Sequence, residues 1–384
     1  MIKIARIISR LNIGGPAQHA IMLSEYLQDS EWQTKLISGV EDPMEGNMLS
    51  LAKERNVQVI RITSMARKIK VFSDFISFFR LVQILRKYKP QILHTHTAKA
   101  GALGRAAGIV SGIPIKIHTF HGHTLNGYFS NWISKIFIFI EKQLAKRSDC
   151  IVTLTEKLKD ELTSMGIVGK KGVRVISLGL DLDRFSLFNT HDRSFRKELN
   201  LHEQDLLIGI VGRLVPIKRH EDLLRALAQL REKGLKVHLA IVGGGELKDF
   251  LRNLVQELRL ENLVHFCGFR KDLEQIYSEL NCLVLCSANE GTPVCLIEAM
   301  ASGIPVIATD VGGVRDLLLD CPSCKITPSK DPPQLAQAME EILQKYDFYK
   351  EKAQSYRSVI SERYSIKNLV GSLKTLYEEL LRSS

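Results

Sequence analysis

Apolar, strand-length runs alternate with stretches of helical periodicity along nearly the whole of this chain, and the alternation runs twice. In the first half the strand-like runs lie near 2–9, 33–40, 57–63, 91–97, 114–120, 150–155 and 173–178. In the second half they lie near 206–212, 236–243, 263–268, 282–287 and 305–309. Strands that alternate with helices are the pattern of parallel sheets covered by helices on both faces. The expected class is α/β, with two doubly wound domains. Residues 179–205 carry no periodic apolar pattern and read as a linker, which sets the domains at 1–185 and 186–384. Two helical segments, about 349–361 and 366–382, close the chain with no strand after them.

At 384 residues, 45% hydrophobic and 25% charged, the chain is long enough to bury two full-sized cores. No apolar run approaches the roughly 20 residues of a membrane span; the richest, Ile136-Phe-Ile-Phe-Ile140, sits between Lys135 and Glu141. The alternating start, Met1-Ile-Lys-Ile-Ala-Arg-Ile-Ile-Ser9, lacks a signal-peptide cleavage pattern, so a cytoplasmic protein is expected. Seven cysteines, several of them in apolar runs, read as small core residues and not as a disulfide framework. Cys321-Pro-Ser-Cys324 has the spacing of half a zinc site, but Cys282 and Cys286, the other candidate half, fall on a predicted buried strand.

The net charge of +11 is unevenly spread. Residues 1–185 hold 27 Lys and Arg against 15 Asp and Glu, whereas residues 186–384 hold 26 against 27. A basic first domain suits nucleic acid or an anionic membrane surface, or is simply solubilising. Two helical stretches favour the membrane: Phe72, Phe75, Phe78 and Phe79 beside Arg80, Arg86 and Lys87, then Tyr128, Phe129 and Trp132 beside Lys135, Lys142, Lys146 and Arg147. A core-facing helix with a basic outer side has the same pattern. Nucleic acid has only the charge behind it and is not expected as a partner.

The residues that suit chemistry cluster at predicted strand ends. Glu290-Gly-Thr-Pro-Val-Cys-Leu-Ile-Glu298 follows the apolar run Leu283–Cys286 and reads as a helix start, with Thr292 as cap and Pro293 in the first turn. Free N–H groups of such a turn bind a diphosphate, and the flanking carboxylates accept from vicinal diols. An ordinary strand–loop–helix with two solvated glutamates looks alike. Gly212-Arg-Leu-Val-Pro-Ile-Lys218 follows the first strand of the second domain, where Arg213 and Lys218 can neutralise a diphosphate and support its departure. Gly14-Gly15 follows the first strand of the chain, and further glycine turns stand at 243–245 and 312–313. In His118-Thr-Phe-His-Gly-His123, His118 and His121 point to opposite faces of a strand, which argues against a metal site. His121 is the histidine placed to meet substrate, against the alternative of a core histidine; His94 and His96 read as structural or supporting. Asp181-Leu-Asp183 reads as a solvated turn and not as a metal motif.

Taken together these elements resemble the retaining glycosyltransferases of family 4, with their two-domain GT-B fold and central cleft. The resemblance rests on Glu290 and Glu298 with seven residues between them, on Gly212-Arg213 with Lys218, on Gly14-Gly15, and on His121 after its strand. It also rests on Gly179-Leu-Asp181 through Arg184-Phe185 and on Ala299-Met-Ala-Ser-Gly-Ile-Pro-Val306. The stretch His94-Thr-His-Thr-Ala-Lys-Ala-Gly-Ala-Leu-Gly-Arg105 is similar to bacterial members that build surface polysaccharide and lipid-linked glycans. Two departures, Thr292 where an aromatic residue is common and Arg315 where proline is, bear on donor selectivity.

The resemblance implies that Arg213 and Lys218 hold the donor diphosphate and Glu298 the ribose. Glu290 holds the donor sugar, with Gly291, Thr292, Pro293 and Val294 beside it, and His121 acts with Glu290 at the reacting centre. Gly14 and Gly15 line the site near phosphates and acceptor. No metal or other cofactor is implied, and the last helix is expected to pack back on the first domain. The implied reaction moves a hexosyl or N-acetylhexosaminyl unit from a nucleoside-diphosphate sugar, UDP favoured, to a glycan or lipid-linked acceptor hydroxyl. A sugar-nucleotide 2-epimerase of the same fold and a catalytically silent nucleotide-sugar-binding scaffold are the alternatives. Attachment of the first domain to the inner membrane face is a further expectation.

Overall fold

The structure, a computed structural model, describes residues 1–42, 46–66, 69–122, 131–187 and 194–383. Two compact units divide the chain: Met1–Leu180 with Ile366–Ser384, and Asp181–Ser365.

The first unit is built on a seven-stranded parallel sheet. Its strands are β1 (Ile2–Ile8), β2 (Trp32–Ser38), β3 (Val59–Arg61), β4 (Ile92–His96), β5 (Ile115–Phe120), β6 (Cys150–Thr153) and β7 (Val173–Val175). Their order across the sheet is β3-β2-β1-β4-β5-β6-β7. β1 is the centre, paired in parallel with β2 on one side and β4 on the other. Its Ile4, Ala5, Ile7 and Ile8 are buried because both faces of the sheet are covered. On one face the last helix, Ile366–Arg382, lays Leu369, Leu373, Leu376, Tyr377 and Leu380 against Ile4, Ile92 and Ile117. The spacing of three and four residues between those side chains is what makes one apolar stripe of a helix. On the other face the helices Val71–Tyr88 and Ala98–Val110 bury Leu81, Leu85, Ala100 and Ala107 with Ala5 and Ile7.

The second unit repeats the plan with six parallel strands: β8 (Leu206–Val211), β9 (Val237–Val242), β10 (Val264–Gly268), β11 (Cys282–Leu285), β12 (Val306–Thr309) and β13 (Cys324–Thr327). The order is β10-β9-β8-β11-β12-β13. Helix His220–Glu232 contributes Leu223, Leu224, Leu227 and Leu230 to a core shared with Ile208, Ile210, Leu239 and Val284.

Three expectations are corrected. The edge strand β13 was not anticipated, because Cys-Lys-Ile-Thr is short and carries a charge in its middle. The neighbouring cysteines are neither core thiols nor half a zinc site: Cys321 and Cys324 are joined as a disulfide, while Cys282 and Cys286 are free and buried. The stretch after 185 is not a plain linker. Helix Ser194–Glu198 inserts the fully buried Phe195, and the Phe195 and Arg196 amides donate to the Glu279 carboxylate at 3.0 and 2.6 Å. The Arg196 guanidinium also reaches Asn281 Oδ1 at 2.9 Å and the Asp205 carbonyl at 2.7 Å. A segment fastened by polar contacts has no apolar period to read.

The last helix should therefore carry stability for the first unit. Leu373→Ala is expected to lower unfolding free energy by about 2–5 kcal/mol in urea titrations, and the exposed Lys367→Ala by under about 0.5 kcal/mol. Equal effects would contradict this packing.

Candidate functional site

In both sheets the strand order reverses beside the first strand of the unit, between β1 and β4 and between β8 and β11. Connections leaving the two strands at such a point pass to opposite faces, which leaves a crevice at the carboxyl ends of the strands. Gly14, Gly15, Arg213, Lys218 and Glu290 lie in the loops or helix starts that follow β1, β8 and β11 at these points, while His121 follows β5 and Glu298 lies in the helix Val294–Ala301.

In the second unit, the loop after β8 ends in the 3-10 turn Pro216–Lys218, which presents Lys218, and the loop after β11 presents Glu290. Lys218 Nζ lies 2.6 Å from Glu290 Oε1, and the Ser287 hydroxyl donates to the same oxygen at 2.5 Å. The Ala288 amide donates to the Ile217 carbonyl at 2.8 Å and ties the loops together. Burial works against the Lys218 charge, but the Glu290 carboxylate outweighs it and holds the lysine above its ordinary pKa. Arg213 is exposed and has no acidic partner among the described residues.

Two glycine turns that looked unremarkable in the sequence complete this loop cluster. A Cβ on Gly243 would lie 1.9 Å from the Gly212 carbonyl oxygen, and one on Gly312 would lie 1.7 Å from that of Glu290. Both positions have positive φ, 143° and 54°, so backbone conformation and space each require glycine.

Helix Val294–Ala301 begins one residue later than expected. Pro293 occupies the cap position without a side-chain bond, so Thr292 does not cap the helix. Thr292 Oγ1 is buried with no hydrogen-bond partner among the described residues. Glu298, in the second turn of the helix, is 5% exposed, and its Oε2 accepts from the Tyr277 hydroxyl at 3.0 Å. Burial raises its pKa to about 7, against the opposing pull of Arg184. Tyr277 and Ser287 were not singled out in the sequence; no motif marks a tyrosine that faces a carboxylate 21 positions away.

In the first unit, Gly14 stands at the cap position of helix Gly15–Tyr26, which follows β1. One turn in, His19 is buried, and its ring meets that of His121 edge-on at 4.9 Å. His96, the last residue of β4, sends Nδ1 to within 3.0 Å of His121 Nε2. Burial first, and then the Arg6 charge, lower the pKa of His121 to about 4, so the ring is neutral at physiological pH. Thr97 follows with φ 65° and ψ 151°, a conformation that costs a β-branched residue about 1–3 kcal/mol. Its hydroxyl is held by Ser9 Oγ at 2.7 Å. His118 lies within β5, buried against Thr95, and takes a structural place; His123 lies outside the described residues.

The ligand-type nitrogens of His19, His96 and His121 lie within 4.8 Å of one another, a grouping that has the right atoms for a metal ion. Its electrostatics oppose one. Arg6 Nη1 is 3.0 Å from His96 Nε2, and a guanidinium only donates, so the His96 proton sits on Nδ1, the nitrogen facing His121.

Three phenylalanines of helix Val71–Tyr88 face away from the core: Phe72, Phe75 and Phe79 are 78%, 61% and 52% exposed, whereas Phe78 is partly buried against the neighbouring core and Tyr88 is buried in it. Trp132 and Phe139 on helix Asn131–Lys146 are exposed as well, whereas Tyr128 and Phe129 lie outside the described residues. Among the described residues no helix is long and apolar enough to cross a membrane.

Comparison with known proteins matches residues 13–184 to Glycosyltransferase Family 4 and residues 191–359 to Glycosyl transferases group 1. The chain is 27% identical to a UDP-Gal:alpha-D-GlcNAc-diphosphoundecaprenol alpha-1,3-galactosyltransferase of Escherichia coli, over 81% of this chain and 80% of that one. It is 25% identical to the capsular polysaccharide biosynthesis glycosyltransferase CapM of Staphylococcus aureus, over 86% and 88% of the two chains. Among solved structures, Anabaena Alr3699/HepE in complex with UDP-glucose is similar with a TM-score of 0.84 at 20% identity, covering 99% of this chain and 100% of that one. Sucrose-phosphate synthase from Thermosynechococcus elongatus is similar with a TM-score of 0.83 at 23% identity, covering 100% of each chain.

The raised Glu298 pKa has a thermodynamic consequence. A carboxyl that titrates higher in the fold than in the unfolded chain adds stability below its unfolded pKa, and the contribution is lost as pH rises through the folded value. Wild-type stability is therefore expected to fall relative to Glu298→Gln by up to about 1.4 kcal/mol per pH unit between pH 5 and 7, levelling off above. Parallel stability curves in urea titrations across that range would remove Glu298 as the source.

Proposed function

The chain belongs to the glycosyltransferases, with a family 4 domain followed by a group 1 domain in the GT-B class of fold, and from that premise we propose that it transfers a hexosyl or N-acetylhexosaminyl unit from a UDP-sugar to a lipid-linked or polysaccharide acceptor hydroxyl with retention of configuration. The observation that carries this reading is the Lys218–Glu290 pair at the strand-order reversal of the second sheet, with the exposed Arg213 in the same loop. A diphosphate entering there meets two cations, one of them held in a pair with a carboxylate suited to sugar hydroxyls. Glu298, in its ionised form, accepts the ribose diol. The backbone from Gly291 to Val294 and the unpartnered Thr292 hydroxyl flank the sugar. Gly14 and Gly15 approach substrate through bare backbone, and His121 hydrogen-bonds substrate.

In the proposed reaction the bond from the anomeric carbon to the diphosphate oxygen breaks while the acceptor oxygen bonds to that carbon from the same side. The acceptor proton passes to the departing phosphate oxygen, whose charge Arg213 and Lys218 stabilise. UDP is favoured because the galactosyltransferase relative is named for UDP-Gal and the structural neighbour holds UDP-glucose. A lipid-linked or polysaccharide acceptor is favoured by the names of both relatives.

Lys218→Ala and Glu290→Gln are each expected to lower turnover by about 10²–10³-fold with any accepted donor. UDP-sugars should raise the melting temperature of the wild type. The scheme fails if Glu290→Gln turns over normally or if the product carries the inverted anomer. Epimerised sugar formed without acceptor would mark an epimerase instead.

We further infer that the exposed Phe72, Phe75 and Phe79, with the exposed Arg80, Arg86 and Lys87 on the same helix, dock on an anionic membrane. Flotation with phosphatidylglycerol vesicles is expected to capture the protein, and Phe72→Ser/Phe75→Ser to release it. Equal capture by neutral vesicles would refute the electrostatic part.

A further inference from the structure

Arg6 is wholly buried in the middle of β1, and its guanidinium partners are two imidazoles and a phenol. Nη1 lies 3.3 Å from His94 Nδ1 and 3.0 Å from His96 Nε2, and Nη2 donates to the Tyr377 hydroxyl at 3.4 Å. No carboxylate neutralises it among the described residues. A buried cation without a counter-ion is costly, and its retention calls for a use.

We propose that Arg6 is a positioning residue which, through His96, fixes the tautomer of His121 so that His121 offers an N–H to substrate and never acts as a base. The inference rests on the reading that His121 meets substrate. Arginine has donors only, so the nitrogens that face it, His94 Nδ1 and His96 Nε2, must carry lone pairs. The His96 proton is then on Nδ1, and it is donated across 3.0 Å to His121 Nε2. With its Nε2 lone pair occupied, neutral His121 carries its proton on Nδ1, which has no partner among the described residues.

The second branch anchors the arginine. Tyr377, on the last helix, accepts from Arg6 and donates to His94 Nδ1 at 2.6 Å, and His94 Nε2 then donates to Thr119 Oγ1 at 2.7 Å. The C-terminal helix thus takes part in setting a ring at the far end of β5. The groups facing His121 are the His19 ring from helix Gly15–Tyr26, His96 from β4 and the charge of Arg6 from β1, with His94 of β4 and His118 of β5 within electrostatic reach, and none of them is an acid.

The test reads the tautomer directly, with no substrate. In the full-length protein labelled with 15N-histidine, wild-type His121 is expected as the Nδ1–H form, unchanged from pH 8 to 5.5. Arg6→Met should mix the tautomers or bring in a titration above pH 5, and Arg6→Lys should restore the wild-type pattern. In transfer assays Arg6→Met and His96→Leu should lower kcat by about 10–100-fold, with donor KM nearly unchanged and a pH dependence that the wild type lacks. His96→Gln, which keeps an acceptor and a donor, should recover most of the loss even if Arg6→Met fails to fold. An Nε2–H His121 in the wild type would overturn the proposal. So would stoichiometric Zn²⁺ binding that His19→Ala abolishes. If His121→Ala abolishes transfer while His96→Leu leaves rate and pH profile intact, the relay is wrong and the functional reading survives. If no nucleotide sugar supports transfer by the wild type, the functional reading fails, and the spectra still judge the relay.

Discussion

Parallel strands cannot be joined by tight turns, so every strand of these sheets hands the chain to a crossover that must lie on one face or the other. Where the direction of strand addition reverses, two neighbouring strands send their crossovers to opposite faces, and the space above their carboxyl ends is left open. That constraint decides where function can sit in each unit. It places the Gly14-Gly15 turn beside the end of β4 in one sheet, and the Lys218 and Glu290 loops side by side in the other. The glycines at 243 and 312 belong to the same constraint, since their carbonyl neighbours leave no room for a side chain.

The two open ends handle charge differently. In the second unit opposite charges are paired: Lys218 keeps its proton because Glu290 sits 2.6 Å away, and Glu290 is steadied further by Ser287. The pair lies half-buried at the carboxyl end of its sheet. Glu298, deeper and with only the partial pull of Arg184 against its burial, is pushed toward the neutral acid. In the first unit a lone cation, Arg6, is set among imidazoles that burial has already made neutral. There the guanidinium gains directional hydrogen bonds, and it orders them because it can only donate.

Much of the fold was legible from residue pattern alone. The β-branched runs at 2–9, 91–97, 114–120 and 206–212 are strands because a chain buried on both faces must be apolar on both. The exceptions share a cause. β13 is a four-residue edge strand with a lysine in it, and the helix at Ser194–Glu198 is held by Glu279 and Asn281, more than 80 positions away in the chain. Local periodicity does not encode long-range polar contacts. Thr292 failed as a cap for a related reason: Pro293 already supplies the extended conformation that the cap position needs.

By itself the sequence determined the class of fold, the glycine, basic and acidic residues that fall at predicted strand ends and the absence of a long apolar span, because composition, period and spacing are local properties. Only tertiary structure decided which of those residues meet. It put Lys218 on Glu290, Tyr277 on Glu298 and Arg6 between His94 and His96, and it turned Phe72, Phe75 and Phe79 outward. Strand order is the reason: which loops become neighbours is set by the sequence in which strands join the sheet, and no window of residues carries that information.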